Sequence, residues 1–348
     1  MAKNPFTLSF SRKPVEYIDR PVQTNRILET FREDPITDQL FLIMGVRGSG
    51  KTVLLSSVAN ILEQDTRWTV IRCAPTGSIV HEIAQELSSA GHGSISVTAQ
   101  IHLPVGQIGL SSETIKGTDQ TQIDRVLDTF QKQGRKLLIT VDEVTNTPQM
   151  REFASVFQIL VGKERPIFFL GTGLYENILP LQNENNMTFL YRAPRINLTP
   201  LDMAAIARSY AKLPGVSAGQ SVQLAALTKG YPFAFQALGY LLWEHLPDCS
   251  FQTILPDYDT VLADSAYSKM WMEMSDRDRE VCRSIANSAG NRTKDIRSLC
   301  GMDSSLFSVY RARLRNRGII NTMEYGKVAF ALPRFAEFVR DRAILYEI

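Results

Sequence analysis

Gly45-Val46-Arg47-Gly48-Ser49-Gly50-Lys51-Thr52 matches the pattern G-x-x-x-x-G-K-[ST] at every fixed position. Residues 40–44, which precede it, are all apolar, and this predicts a buried parallel strand. Residues 53–62, which follow it, carry apolar side chains at helical spacing. A glycine-rich loop between a strand and a helix turns its backbone N–H groups inward, at the positive end of the helix. This context favours a phosphate-binding loop over an ordinary glycine-rich turn.

The loop predicts a nucleotide site with a metal ion. Lys51 is placed to reach the β- and γ-phosphates, and Thr52 to offer its hydroxyl to Mg²⁺. The backbone of residues 45–52 is expected to surround the phosphates, together with Val53 at the start of the helix. The expected ligands are therefore ATP or ADP and Mg²⁺.

An acidic pair supplies the second part of the predicted chemistry. Residues 136–141 are mostly apolar, and Asp142 and Glu143 follow them directly. Ligands of open α/β sheets bind at the C-terminal ends of the strands, so Asp142 is expected to hold Mg²⁺, directly or through water. Glu143 is expected to polarise the water that attacks the γ-phosphate. Such a pair often only caps a helix, but a phosphate loop in the same chain favours the catalytic interpretation.

Three further residues are candidates for a catalytic role. Thr172 ends the predicted strand 166–173, where its side chain either contacts the γ-phosphate or the attacking water, or only shapes the turn. Arg192 and Arg195 precede a last short strand. An arginine at a subunit edge can neutralise the charge on a neighbour's γ-phosphate, whereas a solvated arginine has no such role. Both pairs of alternatives are open from the sequence.

The composition is ordinary for a globular protein of two or three domains. The chain has 348 residues, of which 44% are hydrophobic and 21% charged, and a net charge of +2, too small to imply a polyanionic partner by itself. It has no run of 18 apolar residues and no apolar leader at its start, so we expect a cytoplasmic protein without a membrane partner. Its four cysteines and four histidines show no metal-ligand spacing.

The remaining pattern suggests three domains: an ATPase core at 1–200, a helical lid at 201–272 and a third unit at 273–348. In the core, a helix is predicted at 22–31 and a strand at 68–73. Further core helices are predicted at 79–87, 123–130 and 153–161. Residues 91–118 are rich in Gly, Ser and Thr, and two interpretations are open, an inserted hairpin and a flexible loop.

The third unit has the order of a winged helix. Helical patterns at 278–286, 293–299 and 304–315 precede two predicted strands at 318–323 and 327–332, and a last helix is predicted at 333–345. The third helix ends in a series of arginines, namely Arg311, Arg313, Arg315 and Arg317. Residues 276–317 hold ten Lys and Arg against five Asp and Glu. Contact of these arginines with double-stranded DNA and a purely solvated or protein-facing role are both open.

With these motifs assembled, the chain resembles AAA+ ATPases related to origin-recognition initiators, and it also resembles the STAND signalling ATPases. The shared layout is a P-loop core of the ASCE class with a parallel sheet, a helical lid and a C-terminal winged helix. The resemblance is most specific at the loop and at Asp142-Glu143. It implies that Ile18-Asp19-Arg20 cradles the adenine, that Thr172 is a first sensor, and that Arg192 or Arg195 acts as an arginine finger.

One segment departs from the initiator pattern. Initiators of this type usually carry a sensing arginine at the start of a lid helix, where this chain has Gly230-Tyr231-Pro232. The segment resembles the G-x-P motif of STAND proteins, which implies that Tyr231 and Pro232 contact the nucleotide. It also implies a slower, switch-like use of the lid.

Two functions follow as expectations. The first is an ATP-binding, Mg²⁺-dependent ATPase that couples nucleotide state to DNA binding, homo-oligomer formation or partner assembly through the winged helix. The alternative is a switch that holds ATP or ADP without turnover and signals to a protein partner, as in defence or in a mobile element. A small-molecule kinase is disfavoured by the combination of lid, acidic pair and winged helix.

Overall fold

The strands at the centre of the molecule are apolar along their length, because helices cover both faces of the sheet that they form. The computed structural model describes residues 3–9, 14–89, 118–182, 190, 192–245, 251–322 and 324–346. Five parallel strands make the sheet: β1 (Leu40–Met44), β2 (Trp68–Cys73), β3 (Lys136–Val141), β4 (Ile167–Gly173) and β5 (Arg195–Asn197). Their spatial order is β2-β3-β4-β1-β5. The predicted α/β core with a parallel sheet is confirmed.

The strand order decides which loop ends meet. Strand β4 lies between β1 and β3 and pairs with both in parallel. Because parallel strands end at the same edge of a sheet, the residues after β1, β3 and β4 become neighbours. The phosphate loop, the acidic pair and Thr172 therefore converge, although they are far apart along the chain.

Helices cover the two faces of the sheet. One face packs against the helices Pro21–Arg32 and Lys51–Glu63. The other face packs against Ile79–Leu87, Asp119–Lys132, Pro148–Gly162 and Tyr175–Gln182. The helix predicted at 153–161 begins earlier, because the Thr147 hydroxyl accepts a hydrogen bond from Met150 N and Pro148 occupies the first helical position. The segment 91–118, apart from Thr118, lies outside the described residues.

The described residues between 201 and 272 form helices joined by short turns, as predicted. The lid helices are Met203–Tyr210, Ala218–Thr228, Pro232–His245 and Phe251–Leu262, and the segments Ala263–Tyr267, a π-helix, and Ser268–Met272 lead out of the lid. No helix within the described part of the chain is long and apolar enough to cross a bilayer.

The C-terminal unit, which we call the winged helix for its order of elements alone, has three helices, a small wing and a last helix. The helices are Asp276–Asn287, Thr293–Leu299, Ser304–Asn316 and Phe335–Tyr346, and the wing consists of β6 (Ile320–Asn321) and β7 (Ala329–Phe330), which are antiparallel. The two strands are much shorter than predicted. Gly318 has φ +71°, and Ile319 N donates to Leu314 O, so these residues end the preceding helix instead of extending β6.

The lid and the winged helix share one hydrophobic core. Tyr267, at the exit of the lid, contacts the rings of Phe335 and Phe338 with centroid distances of 5.0 and 5.6 Å. Residues 3–9 also belong to this core, although the sequence pattern assigned them to the ATPase core. Phe6 packs on Phe235 at 5.5 Å, and Thr7 N donates to Gln236 Oε1 at 3.0 Å.

Candidate functional site

The phosphate loop has the backbone conformation that its glycines permit. Gly48 and Gly50 have φ values of +73° and +87°, in the left-handed region that favours glycine. Gly50 ends the loop, and the helix Lys51–Glu63 begins at the next residue. The loop N–H groups therefore precede a helix of 13 residues, whose dipole adds positive potential at this point.

Lys51 lies inside the loop. Its side-chain Nζ donates to Gly45 O and to Val46 O, each at 2.9 Å. Lys51 is only 9% exposed, and this burial lowers the pKa of its amine to about 8, an effect that the negative charge of Asp142 partly offsets. The ammonium is therefore held in a poorly solvated position, where an anionic ligand would stabilise its charge.

Asp142 connects the loop to the neighbouring strands. Its Oδ2 accepts a hydrogen bond from Thr52 Oγ1 at 2.8 Å, and its Oδ1 accepts one from Thr172 Oγ1. Thr172 is fully buried at the end of β4, and its hydroxyl also accepts a hydrogen bond from Glu143 N at 3.1 Å. The three strand ends thus bring Thr52, Asp142 and Thr172 into one hydrogen-bonded unit. These contacts favour an orienting role for Thr172 over a direct contact with phosphate.

Glu143 is presented to solvent. Its φ is +59°, a strained value for a residue with a side chain, and the side chain is 71% exposed. The carboxylate lies 4.0 Å from the guanidinium of Arg47. Strained backbone is common at active sites, because the surrounding structure holds a functional group in place there. Glu143 thus combines an exposed carboxylate with an anchored backbone.

Two adjacent cavities form a groove between the core and the lid. The first has a volume of about 200 Å³. Its lining includes Lys51 and Thr52 from the phosphate loop and Asp142 and Glu143 from the end of β3. The second, of about 80 Å³, is lined by Tyr17, Ile18, Asp19, Arg20 and Val53, among others. The linings of both cavities include Gly50 and Pro232. The groove therefore offers a polar half for phosphates beside a smaller, more apolar half for a base.

Arg20 lines the smaller cavity and connects it to the phosphate loop. Its guanidinium donates to Thr199 O at 2.7 Å and to Ser49 O at 3.4 Å, which ties the segment before the first helix to the phosphate loop. Burial lowers the pKa of Arg20 to about 10. The predicted adenine motif therefore lies beside the loop, and its role in holding a base stays a prediction.

The lid contacts the loop directly. Tyr231 Oη donates to Arg47 O at 2.7 Å, and Phe233 N donates to Gly48 O at 3.1 Å. A Cβ on Gly48 would lie 2.4 Å from Tyr231 Oη, and a Cβ on Gly50 would lie 3.8 Å from Pro232 Cγ. The segment 230–233 thus packs against the loop, so its position can respond to a ligand bound there.

The predicted arginines lie at different places. Arg192 is exposed, and Arg195 begins β5; neither lines the cavity that contains Lys51, and a finger role on a neighbouring copy stays a prediction. On the helix Ser304–Asn316, Arg311 is half-buried. Arg313 pairs with Asp278, with 3.4 Å between the guanidinium Nη1 and Oδ2. Arg315 is exposed at the edge of a separate cavity.

Arg317 corrects one prediction. It is buried and pairs with Glu176 on the core, with 2.9 Å between the guanidinium Nη2 and Oε1. A side chain held in this way is not available to nucleic acid in this arrangement. Alternate arginines on a helix face different directions, and the sequence does not show which of them meets another domain.

Several contacts of the site were not predicted. Arg47, a variable position of the loop, lies 3.5 Å from Glu273, just before the winged helix, and this links the loop to the third unit. Phe233 N reaches the loop from the lid, and Asn177 lines the larger cavity. Phe233 directly follows Gly230-Tyr231-Pro232, so its proximity to that motif was a signal, whereas Glu273 carries no local signal.

The side chains near Lys51 fit a magnesium ion by their chemistry. Thr52 and Asp142 offer a hydroxyl and a carboxylate, the hard oxygen ligands that Mg²⁺ prefers while it retains several waters. A bound Mg²⁺ would neutralise part of the phosphate charge beside them. The described residues contain no cluster of three or more His, Cys, Asp or Glu that could form an all-protein metal cage.

Comparisons with known proteins agree with this geometry. A family profile described as an AAA domain matches residues 34–171, and a domain of unknown function, DUF8462, matches residues 264–339. No curated protein sequence matches the chain.

Among solved structures, the chain is similar to the Walker-type ATPase PABY2304 of Pyrococcus abyssi, with 16% identity, a TM-score of 0.64 and coverage of 93% of this chain and 96% of that one. It is also similar to Cdc6p of Pyrobaculum aerophilum, with 16% identity, a TM-score of 0.45 and coverage of 98% and 97%. Residues 34–171 thus match the AAA-domain family, and the chain has the fold of a Walker-type ATPase over nearly its whole length.

Proposed function

We propose that the chain binds ATP with Mg²⁺ in the groove between core and lid and hydrolyses it slowly. The observation that carries the proposal is the unit formed by Thr52, Asp142 and Thr172 beside Lys51, at the ends of three neighbouring strands. This unit places oxygen ligands for a metal ion next to a buried amine in a glycine-rich loop.

The residues of the chain have distinct roles in this proposal. The loop N–H groups and Lys51 bind and orient the phosphates, and Thr52 with Asp142 holds the metal ion. Glu143 orients the attacking water and accepts its proton, since its exposed carboxylate lines the same cavity. Thr172 holds Asp142 and the backbone of Glu143 in position.

The coupling to the winged helix follows from contacts of the loop. Arg47 lies between Glu143 and Glu273, with nitrogen–oxygen distances of 4.0 and 3.5 Å. A triphosphate beside the loop attracts the same guanidinium, so its arrival competes with these carboxylates. We infer that the nucleotide state changes the position of lid and winged helix together, and that this change regulates contact with DNA or with another protein.

A second candidate function is a nucleotide-held switch without turnover. It is favoured by the direct lid–loop hydrogen bonds, Tyr231 Oη to Arg47 O and Phe233 N to Gly48 O. Such contacts close the groove and slow nucleotide exchange. Mass measurement and ATP turnover with and without double-stranded DNA separate the two functions, because a switch shows neither DNA stimulation nor multiple turnovers.

Hydrolysis is tested by phosphate release from the wild type and from Glu143→Gln. Loss of a positioned general base lowers the rate by about 10²–10⁴-fold, while ADP binding is retained. Glu152→Gln is the matched control, because Glu152 is exposed on a core helix outside the groove. Equal rates for wild type and Glu143→Gln would remove Glu143 from this role.

DNA contact is tested by the salt dependence of binding to a duplex. Arg311→Ala, Arg315→Ala and the double variant leave the Arg313–Asp278 pair intact. Each phosphate contact that is lost reduces the slope of log K against log salt by about 0.9. An unchanged slope in the double variant would favour a protein partner over DNA for the winged helix.

A further inference from the structure

A third cavity lies where core, lid and winged helix meet. Its volume is about 470 Å³. The core contributes the beginning of the phosphate loop at Gly45 and Val46, the lid contributes Gly230 and Tyr231, and the winged helix contributes Arg315. Of its lining residues, only Pro232 also lines the two cavities of the nucleotide groove. We call this space the junction cavity.

The charge of the junction cavity is one-sided. Arg195, Lys229 and Arg315 line it, one from each of the three domains, and none of the described residues in its lining carries a carboxylate. Lys229 is held at the cavity wall, because its Nζ donates to Phe330 O at 3.1 Å and to Leu332 O at 3.4 Å. Burial lowers the pKa of Lys229, an effect that the charge of Glu337 opposes. Three cations around one space favour a bound anion.

Uncharged residues also line the junction cavity, and they provide a hydroxyl, an aromatic ring and aliphatic surface. Ser49 is only 6% exposed, lines the cavity, and its Oγ has no hydrogen-bond partner within the described part of the chain. Because this oxygen has almost no accessible surface, it adds a local cost in free energy to the cavity wall but no direct ligand contact. Tyr175 and Leu198 provide aromatic and aliphatic surface. A volume of a few hundred Å³ with few polar groups and apolar walls is typical of sites for small organic ligands.

We propose that the junction cavity binds a small organic anion that carries a phosphate group and has about the size of a mononucleotide. The phosphate is bound by Arg195, Lys229 and Arg315, and the organic part lies against the apolar wall. A ligand that contacts all three domains stabilises the arrangement in which they meet, so it acts as an effector of domain position. This site is distinct from the nucleotide groove, with which it shares only Pro232 of its lining residues, and its occupancy does not depend on hydrolysis at Glu143.

The probe for this site is uridine 5′-monophosphate, titrated calorimetrically into the full-length chain that has first been saturated with ADP. We expect one saturable site, no binding of uridine, and an affinity lower by about tenfold in Arg315→Ala, because a charge-assisted hydrogen bond to phosphate is lost. Arg311→Ala is the matched control on the same helix, since Arg311 is outside the lining of the cavity.

Two outcomes overturn the proposal. One is the absence of saturable binding of uridine 5′-monophosphate to the ADP-loaded chain, and the other is equal affinity in Arg315→Ala and Arg311→Ala. The preceding titration with ADP tests the proposed function separately. A chain that fails to bind ADP is titrated directly with the same probe and the same two variants, so the junction cavity is still tested.

Discussion

At the scale of single residues, the burial of the Lys51 amine has a structural cost at the site of its proposed function. Burial lowers the pKa of Lys51 from its usual 10.5 to about 8. Below pH 8 the folded chain therefore carries a charge that would be better solvated in the unfolded chain. Strain of this kind is expected at sites that bind anions, because the ligand supplies the missing counter-charge.

This cost predicts a pH dependence of stability. Between about pH 8 and 10.5 the unfolded chain binds more protons at Lys51 than the folded chain does, so the free energy of unfolding rises with pH. Relative to Lys51→Met, the wild type is expected to gain about 2 kcal/mol between pH 7 and pH 10. Urea denaturation of both proteins at several pH values measures this. A difference between them that does not change with pH would contradict the low pKa of Lys51.

Thr172 gives a second prediction at this scale. Its hydroxyl donates to Asp142 and accepts from Glu143 N, so Thr172→Val leaves both groups without that partner at nearly constant volume. We expect phosphate release to fall by about 10- to 100-fold, with ADP affinity changed much less. Thr172→Ser keeps the hydroxyl and is expected to retain most of the rate. If valine and serine behave alike, the hydroxyl does not position the acidic pair.

At the scale of elements, the lid turn at Gly230 packs closely against the segment that joins core and lid. Gly230 has φ +73°, and a Cβ there would lie 2.7 Å from Pro200 Cβ and 2.8 Å from Leu201 O. Leu201 N also donates to Gly230 O at 2.8 Å. A residue with a side chain cannot occupy this position without displacing one side of the contact between lid and core.

Gly230→Ala is therefore expected to loosen the lid. Its left-handed conformation and its close contacts together predict a loss of unfolding free energy of about 2–4 kcal/mol, with weaker ADP binding. Gly215→Ala is the matched control, because Gly215 has φ +79° but a Cβ added there would meet no atoms within 4 Å. It is expected to lose only about 1 kcal/mol and to bind ADP normally. Equal losses in the two variants would show that the Pro200 and Leu201 contacts do not matter.

The elements also show how much of the site the sequence predicts. Lys51, Thr52 and Asp142 belong to contiguous motifs at strand ends, and the parallel sheet brings such ends to one edge, so their meeting was predictable. The extent of the wing was not, because Ile319 N bonds back to Leu314 O and ends the helix at the expense of β6. The pairs Arg47–Glu273 and Arg317–Glu176 depend on the docking of whole domains, for which a single sequence has no local pattern.

At the scale of the whole molecule, the ATPase core and the winged helix are connected at a few points. Arg317 pairs with Glu176, Asn316 Nδ2 donates to Tyr175 Oη at 3.3 Å, and a Cβ on Gly318 would lie 2.8 Å from Val46 Cγ1. The lid, in contrast, shares a hydrophobic core with the winged helix. Lid and winged helix are therefore expected to move together relative to the ATPase core.

A double-mutant cycle on Arg317 and Glu176 measures the connection to the core. Arg317→Ala and Glu176→Ala are each expected to speed ADP release, because the winged helix then holds the closed arrangement less firmly. Their coupling in unfolding free energy is expected to be about 1–2 kcal/mol, since Arg317 is buried but Glu176 is partly exposed. Additive effects of the two changes would mean that this pair does not hold the domains together.

The joint motion of lid and winged helix is tested by distances between spin labels. Labels at Glu152 on the core, Val222 on the lid and Tyr325 on the wing all occupy exposed positions. When ADP is replaced by a non-hydrolysable ATP analogue, the distances from Glu152 are expected to change, while the Val222–Tyr325 distance stays constant. A change in the distance between lid and wing would show two separately moving bodies.

The packing of residues 3–9 has a practical consequence for handling the protein. Phe6 fills the space above Gly239, where a Cβ would lie 2.4 Å from its ring, and Asn4 Nδ2 donates to Glu244 Oε1 at 2.8 Å. Residues 3–9 therefore contact the lid, although the lid itself begins only at residue 201, after the ATPase core. Removal of residues 3–9, by proteolysis or by truncation, is therefore expected to loosen the lid and to change its response to a bound nucleotide.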